Sequence, residues 1–387
     1  MKVAHFVRKN GQLQASFILN QILNHVDFEP FIVCRFNDKS GGFAKFSNES
    51  IKKLELYKEK KINLDLKYLF KISNNDIKKI IRFINDNNIT INHFHYGSDA
   101  FIYSEVIKNA KQPSVVSFYG YDCSTYPDNF FGYGKWCLNN YVFKYADRIL
   151  AMSPDMKNDL IKIGCPENKI IIHYHGSDTS KFNFKRNYYN KEKLTILILC
   201  SLVQKKGHIF LLKSVKKLLD NNIHNFNLRI VGTGELEKDL KQFVNKMNLN
   251  NYVSFVGAVG YDSKEMHNEY ENADIFVHPS VVAPNGAKEG IPGTIVEAMS
   301  SGLPVISTYH AGIPYIIDNE KTGFLVKEHD VNDLAEKIKN LIENNDLRAK
   351  IGSAGQKFAI ENLDLKLKEK ELEKIYLDLI EEKNNGK

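Results

Sequence analysis

Cysteine is scarce in this chain, which has five such residues among 387. They are scattered along the sequence and form no C-x-x-C pair: Cys34, Cys123, Cys137, Cys165 and Cys200. An odd, unclustered set argues against a disulfide framework and against a zinc site built from thiolates. The composition therefore suits the reducing environment of a cytoplasm.

Long hydrophobic runs are also missing. The most apolar segment, Leu194–Val203, has about half the length that a membrane-spanning helix requires. At the N-terminus, Lys2 and Arg8 interrupt the first apolar residues, unlike the continuous apolar core of a signal peptide. We therefore expect a cytoplasmic protein, with any membrane contact being peripheral and at the inner face of the cytoplasmic membrane.

Acidic residues are outnumbered by basic ones. The chain has 53 Lys and Arg against 46 Asp and Glu, which gives a formal charge of +7. Much of the excess lies between Lys52 and Lys79, where lysines recur among Leu, Ile and Phe. Two interpretations stay open, a surface that lies against anionic lipid headgroups and a solvated helix face. Nucleic acid is not an expected partner, because no known reading motif accompanies the charge.

Short apolar runs alternate with helical patterns along the whole chain. This order predicts an α/β fold with parallel, doubly wound sheets. A polar stretch over 181–193 interrupts the pattern, which restarts at Leu194. We therefore predict an N-terminal Rossmann-like domain over 1–180, a linker over 181–193, a C-terminal Rossmann-like domain over 194–363, and a charged helix over 364–387 that packs on either domain. Because doubly wound sheets bind ligands beyond their strand carboxyl ends, we expect the two domains to face each other across a cleft.

The most informative segment is Lys288–Met299, which reads K-E-G-I-P-G-T-I-V-E-A-M. Its two glutamates, Glu289 and Glu297, flank a Gly/Pro turn and a predicted helix that begins near Thr294. The free N–H groups at such a helix start can bind an anion, and Glu297 can accept hydrogen bonds from vicinal hydroxyls. A diphosphate at the helix start and a ribose on the carboxylate are therefore a consistent interpretation. For an isolated pair of glutamates, the simpler interpretation would be that Glu289 is an ordinary loop carboxylate and Glu297 a helix residue with its hydrogen bonds satisfied.

The surrounding motifs reverse that preference. Five of them follow in order: His278-Pro-Ser, Glu289-Gly-Ile-Pro, Glu297-Ala-Met, Gly302-Leu-Pro-Val and Gly323-Phe-Leu-Val. Together they resemble the donor domain of glycosyltransferase family 4, the retaining GT-B enzymes, and most of all the bacterial exopolysaccharide and lipopolysaccharide branch of the colanic-acid type. The likeness is dense from about Leu197 to Val326. It implies a GT-B fold in which the domain over 1–180 binds the acceptor and the domain over 194–363 binds the sugar nucleotide. It also implies the transfer of a hexose, with retention, from a UDP- or GDP-linked sugar to a saccharide or lipid-linked saccharide.

The resemblance assigns roles to individual residues. It implies that Glu289 faces the donor sugar and its anomeric carbon, that Glu297 holds the ribose, and that Lys206, with Lys205 beside it, binds the diphosphate. A cation is needed there because a departing nucleoside diphosphate gains negative charge. The rest of the donor loop is Gly290, Ile291, Pro292, Gly293 and Thr294. Gly11, after the first strand, either brings a backbone N–H to the diphosphate or makes an ordinary turn.

Three positions depart from the family pattern. Ser201 stands where an arginine is usual, so one phosphate cation is missing or comes from elsewhere. The N-terminal half has Tyr119-Gly-Tyr-Asp122 where the family often has His-Gly-x-Asp, and tyrosine can donate a hydrogen bond but cannot be a cation. Tyr315 replaces a preferred acid. Ser201 remains a predicted donor contact, and Tyr119 and Asp122 remain predicted contacts with donor or acceptor.

Histidines occur in two alternating pairs, His93-Phe-His95 and His173-Tyr-His175. Such pairs can bind a metal ion, but we favour structural turns in which imidazoles such as those of His95 and His175 face a cleft and contact donor or acceptor. No D-x-D motif occurs in the sequence. We therefore expect neither a metal ion nor another cofactor.

Other functions agree less well with the motifs. Val231-Gly-Thr-Gly234 begins like a dinucleotide fingerprint, but Glu237 takes the place of the third glycine, which argues against a dehydrogenase. A phosphorylase-like or nucleotide-sugar epimerase-like GT-B enzyme is an alternative. A non-catalytic GT-B partner subunit of a glycosyltransferase complex is another, given Ser201 and Tyr119.

Overall fold

A computed structural model describes five stretches of the chain, residues 1–9, 16–37, 51–58, 71–189 and 191–386. The chain divides into two compact units, each of which is described by itself. Unit 1 comprises residues 1–176 and 365–387, and unit 2 comprises residues 177–364.

The strands and helices alternate along both units. The strands are β1 (Lys2–Lys9), β2 (Glu29–Asn37), β3 (Lys53–Lys58), β4 (Ile91–His95), β5 (Ser114–Ser117), β6 (Arg148–Ala151), β7 (Ile170–Ile172), β8 (Leu194–Leu199), β9 (Phe226–Val231), β10 (Val253–Gly257), β11 (Ile275–His278), β12 (Val305–Thr308) and β13 (Phe324–Val326). The helices are α1 (Ser16–Leu23), α2 (Asn74–Asp86), α3 (Gly97–Ile102), α4 (Ser104–Asn109), α5 (Tyr121–Ser124), α6 (Asn129–Cys137), α7 (Phe143–Tyr145), α8 (Pro154–Lys162), α9 (His208–Asp220), α10 (Glu237–Lys246), α11 (Lys264–Asn272), α12 (Gly293–Ser300), α13 (Val331–Glu343), α14 (Asn345–Asn362) and α15 (Leu365–Asn384).

Both sheets are parallel and doubly wound, which confirms the predicted α/β fold. The seven-stranded sheet of unit 1 has the order β3-β2-β1-β4-β5-β6-β7, and the six-stranded sheet of unit 2 has the order β10-β9-β8-β11-β12-β13. The direction of winding reverses between β1 and β4 in unit 1 and between β8 and β11 in unit 2. Ligands of such sheets bind beyond the strand carboxyl ends at this switch point. The loop after β8, with Lys205 and Lys206, lies at that edge of unit 2.

The core of unit 2 lies between its sheet and the helices α9, α10 and α13. Strand β11 is buried at all four positions, as expected for a parallel strand with helices on both faces. The packed side chains include Ile196, Ile230, Leu211, Leu240 and Ile338. Burying a side chain of this size stabilises the fold by roughly 1.5–3 kcal/mol. The loops at the strand ends are thus attached to a rigid support.

The chain divides at a different point from the one predicted. Residues 181–193, the predicted linker, belong to unit 2. The Arg186 guanidinium donates to backbone carbonyls of this unit, including that of Ala273 at 2.7 Å. Tyr188 donates to the carbonyl of Gly302, also at 2.7 Å. These contacts join residues far apart in sequence, so composition alone does not reveal them.

The C-terminal helix α15 belongs to unit 1. Its apolar residues Leu372, Tyr376 and Leu379 pack in one buried cluster with Val3 and Ile91 of the sheet. The sequence predicts this helix but leaves open the domain on which it packs.

The structure changes one of the interpretations of the basic stretch over 52–79. Residues 53–58 form β3, which pairs with β2, and residues 74–86 belong to α2, while 59–70 lie outside the described residues. The interpretation as a solvated helix face therefore does not hold for residues 53–58, whereas Lys78 and Lys79 are exposed on α2. Among the helices in the described ranges, none combines the length and the apolar character that crossing a membrane requires.

Candidate active site

Helix α12 begins directly after Pro292, between the two predicted glutamates, and carries the second of them, Glu297, one turn in. In the described part of the chain, no side chain caps its first turn, which leaves the N–H groups at Gly293 and Thr294 for a ligand. Both residues are partly exposed, and a Cβ on Gly293 would come no closer than 3.8 Å to the side chains of Glu297 and Ser177. The helix end is therefore accessible and carries the positive potential that attracts an anion.

The carboxylate of Glu289 lies beside two lysines. Lys206 Nζ is 2.9 Å and Lys205 Nζ is 3.4 Å from Glu289 Oε1. Burial raises the pKa of Glu289, but Lys206 and Lys205 outweigh burial and lower the pKa to about 2. Glu289 is therefore a fixed anion near neutral pH.

Lys206 is held in place by the turn that follows it. Gly207 has a φ of +70°, and a Cβ there would lie 1.9 Å from the carbonyl oxygen of Pro279. This close approach brings the loop after β8 against the loop after β11, at the switch point of the sheet. Burial lowers the pKa of Lys206, but Glu289 raises it, and the net result is a raised pKa. The ammonium group therefore stays charged.

Glu297 is buried one turn into α12. It accepts a hydrogen bond from the Tyr270 hydroxyl at 2.7 Å. Burial raises the pKa of Glu297 to about 7, although the Tyr270 hydrogen bond acts in the opposite direction. Hydroxyls of a ligand that donate to this carboxylate would favour its ionised form.

His278 ends strand β11 and lies under the donor loop. Its Nδ1 is 3.5 Å from Thr294 Oγ1, and its buried Nε2 has no hydrogen-bond partner among the described residues. Burial and the nearby Lys206 lower the pKa of His278 well below its usual value, so the ring is neutral. A buried ring nitrogen without a partner can form a hydrogen bond with a ligand.

Two further residues of this site, His310 and Glu328, were not predicted from the sequence. His310 Nε2 accepts the backbone N–H of Glu289 at 3.0 Å, and its Nδ1 lies 2.7 Å from Glu328 Oε1. The sequence offers only a weak signal, a histidine two residues before Gly312-Ile-Pro. The three side chains come from loops after different strands, so only the sheet brings them together.

Ser201 is exposed in the loop after β8 and supplies no charge there. The loop is supported by the Val231–Gly234 turn, where Gly232 has a φ of +134° and a Cβ would lie 2.0 Å from the carbonyl oxygen of Cys200. The turn that resembles a dinucleotide fingerprint thus packs against the loop that holds the site. This contact favours the structural interpretation of the turn.

In unit 1, the hydroxyl of Tyr119 is already engaged. It lies 2.7 Å from His95 Nδ1, and the ring packs on Phe17 and Tyr96. The predicted hydrogen bond from Tyr119 to a ligand therefore competes with an internal one. Gly11, the other predicted donor contact of this unit, lies outside the described residues.

Asp122 and His175 also bond within unit 1. Asp122 accepts the backbone N–H groups of Gly97, Tyr119 and Gly120 at 2.8, 3.0 and 3.1 Å. Burial raises the pKa of Asp122 to about 6, although these N–H donors lower it. His175 Nδ1 is 2.8 Å from the carbonyl oxygen of its neighbour Gly176. Both side chains hold turns at the carboxyl edge of the sheet.

Three histidines of unit 1 have the spacing of a potential metal site, because His5, His93 and His95 offer ring nitrogens within 4.8 Å of one another. All six of their ring nitrogens, however, have a hydrogen-bond partner. The contacts are His5 with His95 (3.0 Å) and His25 (2.9 Å), His93 with Tyr376 (2.6 Å) and Ser117 (2.7 Å), and His95 with Tyr119 (2.7 Å). A metal ion would have to replace several of these bonds, so we assign no metal to the cluster.

Two family models match the chain. The model described as Glycosyltransferase Family 4 matches residues 27–181, and the model described as Glycosyl transferases group 1 matches residues 179–358. The second match includes the whole site of unit 2, from Lys205 to Glu328.

Two relatives show which proteins resemble the chain in sequence. The colanic acid biosynthesis glycosyltransferase WcaL of Escherichia coli (strain K12) is 32% identical over 207 residues, 52% of this chain and 50% of that protein. The amylovoran biosynthesis glycosyltransferase AmsK of Erwinia amylovora is 34% identical over 194 residues, 50% of this chain and 47% of that protein. The chain thus spans about half the length of the curated relatives it matches.

A solved structure shows how far the likeness in fold extends. HepE of Anabaena in complex with UDP has a TM-score of 0.79 with this chain, covering 98% of this chain and 100% of its own. The two sequences are 18% identical. At that identity the likeness concerns the fold alone.

Proposed function

Because the chain belongs to glycosyltransferase family 4 and has the GT-B fold, we propose that it is a retaining glycosyltransferase that moves a hexose from a UDP- or GDP-linked sugar to a saccharide or lipid-linked saccharide. The transfer serves the synthesis of a bacterial surface polysaccharide, the kind of pathway that the names of WcaL and AmsK state for those proteins. The proposed reaction needs neither a metal ion nor another cofactor.

The strongest support is the charge arrangement at the switch point of unit 2. Two lysine ammonium groups lie beside Glu289, and α12 begins four residues later without a side-chain cap, a combination that suits a diphosphate. Glu289 lies in the loop before α12, and Glu297 lies one turn into that helix. Their carboxylates can accept hydrogen bonds from the hexose and from the ribose.

In the proposed reaction, the bond between the anomeric carbon and the diphosphate oxygen breaks as the acceptor oxygen bonds to that carbon. The acceptor proton passes to the leaving diphosphate, which gains negative charge. Lys206 and the amides at Gly293 and Thr294 stabilise that charge. Lys206 pairs with Glu289, so a diphosphate that binds here shares or takes over this ammonium group.

Nucleotide binding is the first test. Thermal-shift and calorimetric titrations of the whole chain with UDP, GDP, UDP-glucose, UDP-galactose and GDP-mannose should show selective binding of one nucleotide series. Labelled sugar from the bound donor should then appear on a saccharide acceptor. Failure to bind any of these nucleotides would contradict the proposal and favour the partner-subunit alternative. Binding followed only by epimerisation of the donor would favour an epimerase-like enzyme.

We also propose that the protein contacts an anionic membrane surface peripherally. The observation that favours this is an exposed aromatic group on α6, where Phe131 is fully exposed and Trp136 is about half exposed beside Lys135. Aromatic rings and lysines together suit the interface of an anionic bilayer. Sedimentation with phosphatidylglycerol vesicles should be lost in a Phe131→Ser/Trp136→Ser double variant. Equal sedimentation of the variant and the wild type would overturn this part.

A further inference from the structure

His310 lies in direct contact with the backbone of the donor loop. Its side chain is 1% exposed, and its Nε2 accepts the N–H of Glu289 at 3.0 Å. A second bond, from the N–H of Gly312 to the carbonyl of Gly290 at 3.2 Å, joins the same two segments. The segment after β12 thus holds both the first glutamate and the residue that follows it.

The partners of His310 determine which ring nitrogen carries the proton. A backbone N–H can only donate, so Nε2 must be unprotonated. The proton of the neutral ring is then on Nδ1, which donates to Glu328 Oε1 at 2.7 Å. A proton on Nε2 would face the Glu289 N–H and remove that hydrogen bond.

Glu328 extends the contact to the other end of the loop that leads to Glu289. Its second oxygen, Oε2, accepts the N–H of Val282 at 2.8 Å. The Glu328–His310 pair therefore ties down both ends of the stretch over 282–289. The same stretch borders, with Lys205, a pocket of about 410 Å³.

We propose that His310 is a positioning residue for Glu289, kept in its Nδ1–H form by Glu328. The inference rests on the proposed function, in which the Glu289 carboxylate contacts the donor sugar. Two lysines attract that carboxylate from one side, and the backbone bond to His310 fixes where the side chain starts. A shift of about 1 Å in such a group can reduce turnover by roughly 100-fold.

Two substitutions separate the hydrogen bond from the packing of the ring. His310→Leu fills the space without an acceptor, whereas the side-chain oxygen of His310→Gln can reach the Nε2 position and accept the Glu289 N–H. We expect His310→Leu to lower kcat by about 30-fold, with the Kd of UDP or GDP changed less than about 3-fold, and His310→Gln to recover most of the loss. His224→Leu, which removes an exposed histidine of the same unit, is the matched control.

The second measurement does not depend on activity. ¹⁵N NMR of the ring nitrogens, assigned by the signal missing in His310→Gln, should show His310 protonated on Nδ1 and not on Nε2. Unchanged kcat in His310→Leu, equal losses in His310→Leu and His310→Gln, or an Nε2-protonated ring would each overturn the inference. If the wild type neither binds the nucleotides named above nor turns over their sugars, the proposed function fails, while the NMR result still decides whether His310 holds the Glu289 amide.

Discussion

In units 1 and 2, a buried histidine ends the strand at the switch point of the sheet, but the hydrogen bonding of the two histidines differs. In unit 1, His95 bonds to His5, His5 bonds to His25, and His25 lies 3.3 Å from the carboxylate of Glu373 on α15. In unit 2, the Nε2 of His278 is buried with no partner among the described residues. Both ring nitrogens of His5, His93 and His95 have partners within unit 1, whereas one ring nitrogen of His278 has none among the described residues.

This difference in hydrogen bonding indicates which buried histidines are close to a ligand site. A buried polar group without a partner costs about 1–3 kcal/mol, so a fold keeps one where something else completes it. The network of unit 1 instead stabilises the packing of α15 on the sheet. Buried histidines are therefore a poor sign of a site by themselves, and unsatisfied ones beside an ion pair are a better sign.

The largest expected effect belongs to unit 2. Glu289→Ala should lower kcat at least about 1,000-fold, because this substitution removes the carboxylate that we propose faces the developing charge. The Kd of the nucleotide alone should change little. Transfer kinetics and calorimetry measure the two effects. Glu269→Ala, which removes a carboxylate bonded to Arg229 in the same unit, is the control, and similar losses in both variants would refute the assignment.

The next effect tests whether the network of unit 1 is structural. Glu373 accepts the N–H groups of residues 26–28 at 2.7–3.3 Å, so Glu373→Ala should lower the free energy of unfolding by about 3 kcal/mol. Urea denaturation measures this change. Glu371→Ala on the same helix removes only a surface pair with Lys368 and should cost less than about 0.5 kcal/mol. Equal effects of the two substitutions would show that the network does not hold α15.

An effect of similar size appears in the pH dependence of stability. The pKa of Glu297 is raised from 4.5 to about 7 in the fold, so its contribution is complete below pH 4.5 and is lost as the pH rises through 7. The loss amounts to about 3 kcal/mol. In Glu297→Gln, the free energy of unfolding should not show this part of the decline with rising pH. Urea titrations between pH 4.5 and pH 8 measure the difference. A decline of the same size in the variant would mean that another group causes it.

The smallest effect would make unit 2 resemble its family more closely. Ser201→Arg restores the usual cation at an exposed position and should tighten nucleotide binding about 5-fold, which is about 1 kcal/mol. Ser201→Gln has a long polar side chain without the charge and serves as the control. Equal affinities of the two variants for UDP or GDP in calorimetry would show that position 201 does not reach the diphosphate.

The site of unit 2 was predictable because the sequence patterns that indicate it are local. The predicted helix near Thr294 begins at Gly293, one residue earlier. The two glutamates and the turn between them belong to one loop and one helix, so their spacing in sequence fixes their spacing in the fold. His310 was not predicted because it contacts Glu289 from the loop after another strand.

The N-terminal half was less predictable because its polar contacts join distant parts of the chain. His5 and His95 are 90 residues apart, and the Glu373 contact with Val26 spans 347. No local pattern indicates that the Tyr119 hydroxyl bonds to His95. The polar stretch over 181–193 resembles a linker in the sequence because its partners in unit 2 lie far along the chain.

By itself, the sequence determined the alternation of strands and helices and the loop that places Glu289 and Glu297 around a helix start. Both properties depend on neighbouring residues and on the period of the apolar pattern. Only the tertiary structure decided the charge of these glutamates, with a pKa of about 2 for one and about 7 for the other. A pKa depends on burial and on the distance to other charges, and the packing of separate strands and helices sets both.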